Sequence, residues 1–85
     1  MEKLILNDGT ELENSYATET LDNLFLYIRN GMTMMQVFML MADTSKISEI
    51  KYRAGETIMV YSGYTMVQGI TQEHGGMINV VLRRG

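Results

Sequence analysis

One stretch limits what this chain can fold into more than any other: Met32-Thr-Met-Met-Gln-Val-Phe-Met-Leu-Met-Ala-Asp43. It is the one segment with helical signals, and it is apolar on nearly every side. A short helix without a polar face does not stand alone in water, so the rest of the chain, or a partner, must cover it. Its start is chemically marked. Thr33 and Gln36 have the spacing of a capping box, with Met32 and Val37 placed as a hydrophobic staple. Asn30-Gly31 breaks the chain just before it. The spacing predicts a helix over about 33–43, ended by Asp43-Thr44-Ser45, whose side chains compete for the backbone. Such a helix is roughly 15 Å long, half a bilayer core, which makes it a globular element. Met34, Val37, Phe38 and Met41 form one stripe, expected to be core. Met35, Met39 and Ala42 form a second, with Leu40 between them.

Strand signals flank the helix. Lys3–Leu6 and about Thr10–Ala17 read as a hairpin across Asn7-Asp8-Gly9, because Asp-Gly tolerates the positive φ of such turns. Leu24–Ile28 is a third strand, apolar on both faces and so expected to be covered. After the helix, Lys46–Arg53 is a fourth strand and Ala54-Gly55 a turn. Glu56 to about Gln72 is a long fifth strand, with Gly63 and Gly69 marking a bulge or bend. Met77–Arg83, after Glu73-His74-Gly75-Gly76, is the sixth, with Ile78, Val80 and Leu82 inward. In the fifth strand Ile58, Val60, Tyr64, Met66 and Ile70 share the expected core parity. The expectation is one α+β domain, residues 1–85, in the order β-β-β-α-β-β-β: an antiparallel bent sheet or small barrel with a single short helix. No internal repeat stands out.

Three strands are apolar on both faces, and one helix covers only one. Unless the sheet closes, the second face meets another molecule. Met59, Tyr61, Val67 and Val81 have the parity opposite the expected core and are interface candidates, as are Met35 and Met39 on the second helix stripe. Tyr52, Tyr61 and Tyr64, three of five tyrosines, form a recognition patch, since Tyr joins an apolar ring to a polar tip.

Composition narrows the functions. An 85-residue chain supports only a marginal core. With no Cys and one His, disulfides and metals are closed or nearly closed as reinforcement, which favours a homo-oligomer. Nine methionines, five of them within residues 32–41, suit both gap-filling and adaptable interfaces. The net charge of −3 argues against broad nucleic-acid binding. An anionic ligand would need local donors, of which Arg29, Lys51, Arg53, Arg83 and Arg84 are available. His74 sits in a turn with no nucleophile beside it, and scattered carboxylates make no metal set. No catalytic residue, metal or cofactor is expected. The apolar run in Met1–Asn7 is too short for a signal peptide, so a cytoplasmic protein without a membrane role is expected.

Lys3–Thr10, the helix ending near Asp43, Gly55-Glu56 with Tyr61-Ser-Gly-Tyr-Thr65, and Gly76–Leu82 together resemble small proteins encoded by phages and prophages of gut Firmicutes. Gly63-Tyr64-Thr65 is also similar to strands of small barrels in phage tail-hub proteins. The resemblance implies a phage product that is virion-associated or acts in the host cytoplasm. The function expected is a non-enzymatic, homo-oligomeric interaction or assembly module. The alternative is an anti-defence protein that sequesters a host protein or a small signalling ligand.

Overall fold

In the computed structural model, which describes residues 1–85, eight strands and one helix build two facing antiparallel sheets. The strands are β1 (Glu2–Ile5), β2 (Glu11–Glu13), β3 (Tyr16–Glu19), β4 (Asn23–Ile28), β5 (Glu49–Ala54), β6 (Thr57–Ser62), β7 (Met66–Gln72) and β8 (Ile78–Arg83). The helix, α1 (Met34–Met41), separates β4 from β5. Sheet I has the order β2-β1-β5-β6, and sheet II has the order β3-β4-β8-β7. The α+β class and the placement of one helix between two runs of strands are as expected. The small barrel is not: the sheets remain separate and do not close through a common ladder.

The extra strands arise because two predicted strands are each cut in two. The segment expected over Thr10–Ala17 breaks at Asn14, which adopts φ 55°. The segment expected over Glu56–Gln72 breaks at Gly63, which adopts φ 82°. Left-handed backbone turns a strand out of its plane, and Asn and Gly are the residues that tolerate it. Each break passes the chain from sheet I to sheet II, as bent strands do at the corners of orthogonal sandwiches. Each also resets which side chains point inward. Leu12 is buried before the first corner and Ser15 and Ala17 after it; Tyr61 is buried before the second and Tyr64 after it. The uniform parity expected along each segment therefore fails at both corners.

These corners expose a hidden repeat. Exchanging β1–β4 with β5–β8 maps each sheet order onto itself, reversed. Leu12, Asn14 and Ser15 correspond in spacing, burial or backbone twist to Tyr61, Gly63 and Tyr64. Leu24, Leu26 and Ile28 of β4 correspond to Ile78, Val80 and Leu82 of β8, which pair with them across the centre of sheet II. The repeat was silent in the sequence because equivalent positions share polarity and conformation, not residue identity.

A single cluster of 16 buried residues fills the space between the sheets, and α1 supplies Val37 and Met41 to it. The helix begins as its capping box dictates. Thr33 Oγ1 accepts from Gln36 N (3.1 Å), and Gln36 Oε1 accepts from Thr33 N (2.8 Å). After it, Asp43 accepts from the backbone and hydroxyl of Ser45, and the strand expected over Lys46–Arg53 forms as β5, starting only at Glu49. Asn7 ties this loop to the first hairpin, donating to the Ser45 carbonyl and the Ser48 hydroxyl. Asp8 closes its own turn by accepting from Thr10 N (3.0 Å), the hairpin role expected for it.

Leu26 has no exposed surface, whereas Phe38, expected to be core, is 61% exposed. Leu26→Ala should therefore cost about 2–5 kcal/mol and Phe38→Ala less than about 1 kcal/mol in chemical denaturation. Gly63→Ala forces an L side chain into left-handed backbone beside Arg84 and should cost about 1–2 kcal/mol by the same measurement.

Candidate interaction surface

The helix meets the sandwich along β7, and its phase decides what it offers. Val37 and Met41 turn inward; Met34 and Leu40 pack on the core edge. Phe38 is thereby rotated out, and Met35 and Met39 stand at 68% and 66% exposure. Both are interface candidates by sequence, and both are exposed. Between α1 and β7 lies an apolar groove of about 560 Å³, lined by Met34, Met35, Phe38, Val67, Gly69 and Ile70. A second hollow of about 380 Å³ continues past Phe38 toward Met66. Gly69 helps to form the groove because Gln68 is an extra residue: the pairing of β7 with β8 slips between Val67 and Gly69. The bulge anticipated near Gly69 is thus present and shapes the surface. Five of the six residues lining the first groove are apolar, and no charged group enters it.

The remaining strand candidates separate. Tyr61 and Tyr64 are buried and leave the proposed tyrosine patch. Tyr52 is half-buried on the inner face beside Leu4 and Met59. Met59 and Val67 also lie on inward faces and are exposed only because β6 and β7 are edge strands. Val81 alone of the four opposite-parity residues is on an outer face, half-buried in β8. The inversion in β6 has a plain cause. Register with β5 pairs Ile50 with Tyr61 and Tyr52 with Met59, so Ile58 and Val60 point outward beside Arg53 and Lys51. The aromatic pair that does form is Tyr16 with Tyr27, stacked at 4.6 Å on the outer face of sheet II. Their facing positions follow from the β3–β4 register, which no local signal in the sequence announces.

The arginines named as anion contacts do not converge. Arg29 follows β4 at one end of sheet II, where it approaches the Met77 sulfur. Arg83 is opposite Asn23 at the other end of that strand pair. Arg53 lies in sheet I and bonds the Gly55 carbonyl. Arg84, by contrast, has a built environment. Its guanidinium stacks 4.2 Å from the Tyr64 ring centre and donates to the Tyr64 hydroxyl (2.8 Å), which donates to Glu19 (2.5 Å). This chain of contacts fastens the C-terminal segment to the second corner. The Glu19 carboxylate raises the Tyr64 pKa, because a deprotonated phenol would lose that bond and face a like charge.

No group of three His, Cys, Asp or Glu side chains is arranged to hold a metal ion. No helix is long and apolar enough to cross a membrane. No family model, curated protein or solved structure matches the chain.

Tyr52 gives a pH signature. Its hydroxyl donates to the Glu2 carboxylate, which pushes its pKa from 10.0 up to about 12. The folded protein thus holds this proton more tightly than the unfolded chain does. The stability contributed by the contact is complete below pH 10 and declines as the pH rises through about 12. Denaturation midpoints measured across this window should fall less steeply for Tyr52→Phe than for the parent chain, and the tyrosinate absorbance of the parent should develop late.

Proposed function

We propose that this chain is a non-enzymatic protein-interaction module whose working surface is the groove between α1 and β7. The observation that carries the reading is the position of Phe38. A large aromatic side chain stands 61% exposed and lines both apolar hollows beside β7, in company with Met35 and Val67. Exposed aromatic and Met side chains around a concave apolar surface are the usual anchors of protein interfaces. Methionine adds adaptability, since its unbranched thioether repacks against different surfaces. The occupant proposed is an apolar segment of another protein, with Phe38 as the central contact. The phage context that the sequence resembles belongs to this proposal: a partner in the virion or in the infected cell.

The test places a photo-crosslinking phenylalanine analogue at Phe38 of the full chain, expressed in a Firmicute cell. A discrete adduct with a second protein is expected, and Met35→Glu should abolish it while leaving the far-UV circular dichroism unchanged. Adducts that are diffuse, or indifferent to Met35→Glu, would sink the reading.

A further inference from the structure

Four strands end the two sheets, and three of them are defended. β2 has three residues, two of them Glu11 and Glu13; β3 has four and carries Glu19. β7 is interrupted by its bulge at Gln68 and flanked by α1. Short length, charge and bulges are the devices that keep edge strands from pairing with other chains. β6 has none of them. Thr57-Ile-Met-Val-Tyr-Ser62 is six residues long, unbroken in its pairing with β5, without proline and without charge. Its pseudo-symmetric counterpart, β2, is the most acidic edge of the molecule, so the contrast is not imposed by the fold.

The orientation of the backbone sharpens this. Gly55 and Glu56 form a two-residue turn, so Ala54 and Thr57 exchange hydrogen bonds and alternate residues of β6 face β5 thereafter. Gly63 N donating to Ser48 O continues the same alternation. Ile58, Val60 and Ser62 therefore aim their N–H and C=O groups away from the sheet. Arg84 takes the Ser62 carbonyl (3.4 Å). The free groups left at the edge are the Ser62 N–H and the N–H and C=O of Ile58 and Val60, the last two with side chains about half exposed.

We infer that β6 pairs antiparallel with β6 of a second copy, in the register that sets Ile58 opposite Val60 and places Met59 on the two-fold axis. This register exchanges four backbone hydrogen bonds and uses every free N–H and C=O of Ile58 and Val60 in both copies. It joins two copies of sheet I into one eight-stranded sheet. A second copy fits better than a charged strand because the contact is self-complementary: Ile58 meets Val60 on the outer face, Met59 meets Met59 on the other, and no like charges oppose each other. The charges nearest the seam are of opposite sign: Ser62, with Arg84 on its carbonyl, falls opposite Glu56 of the second copy. Lys51 and Arg53 on β5 face Arg53 and Lys51 of the second copy across three strand spacings. That is about 14 Å, beyond the screening length of about 8 Å at physiological salt. The inference does not depend on the α1–β7 groove.

The full chain, which has no cysteine, allows a direct test. On the axis, residues at position 59 form a non-hydrogen-bonded pair with Cα atoms about 4.5 Å apart, close enough for a disulfide. Residues at position 57 lie about 14 Å from their mates, too far. Mild oxidation should therefore link Met59→Cys into a dimer and leave Thr57→Cys monomeric. Sedimentation of the parent chain should show a concentration-dependent dimer, weakened at least tenfold by Val60→Lys and unaffected by Phe38→Glu. A monomer at every concentration, equal linking at positions 57 and 59, growth into long polymers, or a dimer indifferent to Val60→Lys would each overturn the inference.

Discussion

The left-handed backbone at Asn14 and Gly63 is the constraint on which the rest of this structure depends. Without those corners, residues 11–19 and 57–72 would each be one strand with one inward parity. Leu12 and Ala17, or Tyr61 and Tyr64, differ in parity and would not both reach the core. The turn of backbone at each corner moves the strand to the opposite sheet and brings the second set of side chains to bear on the same interior. A chain of 85 residues thus surrounds one core with two four-stranded sheets joined at two corners. The conformational cost falls on residue types that meet it cheaply, glycine at one corner and asparagine at the other.

The two halves obey one topology and differ in polarity. The first corner is edged by Glu11, Glu13 and Glu19, while the second is edged by Ile58, Met59, Val60, Met66 and Val67. Both corners solve the same folding problem, so folding alone does not account for the difference. The acidic edge is also a stabilised one: Lys3 of β1 meets Glu11 at 2.6 Å. An exposed pair of this kind contributes at most about 1 kcal/mol, yet charge at an edge also repels an incoming strand. The apolar edge has neither feature. Apolar surface kept in water costs solubility, and its concentration on one half of a pseudo-symmetric molecule is the observation on which both proposals draw.

What was legible in the sequence was local. The capping box of Thr33 and Gln36, the Asp8-Gly9 turn and the bulge beside Gly69 are each specified by a few adjacent residues, and each formed where their chemistry directs. What was not legible depended on partners distant in the chain. The inward parity of β6 is set by its register with β5, so Ile58 and Val60, read as core, face outward while Tyr61 faces in. Phe38 was misplaced for a different reason. A helix apolar on all sides has no polar face to fix its rotation, and the choice fell to the shape of the core, which took Val37 and Met41. The corners themselves left a trace only at Gly63; Asn14 in a polar stretch is indistinguishable from an ordinary strand residue.

The two apolar surfaces are built from different sheets, and this decides how they relate. No residue lining the α1–β7 groove belongs to sheet I, and no residue of β6 lines it. Joining two molecules through sheet I as inferred therefore uses no groove residue in the strand pairing and would yield a particle with two identical grooves in fixed relation. A partner presenting two copies of its segment then binds the second groove at the effective concentration set by the first, which raises avidity without any new contact. A monomeric protein with the same groove would lack that gain. An undefended β6 and an exposed Phe38 thus need not be two separate imperfections of a small core: self-pairing through the first makes the second bivalent, and the acidic β2 and β3 edges resist further strand addition beyond two copies.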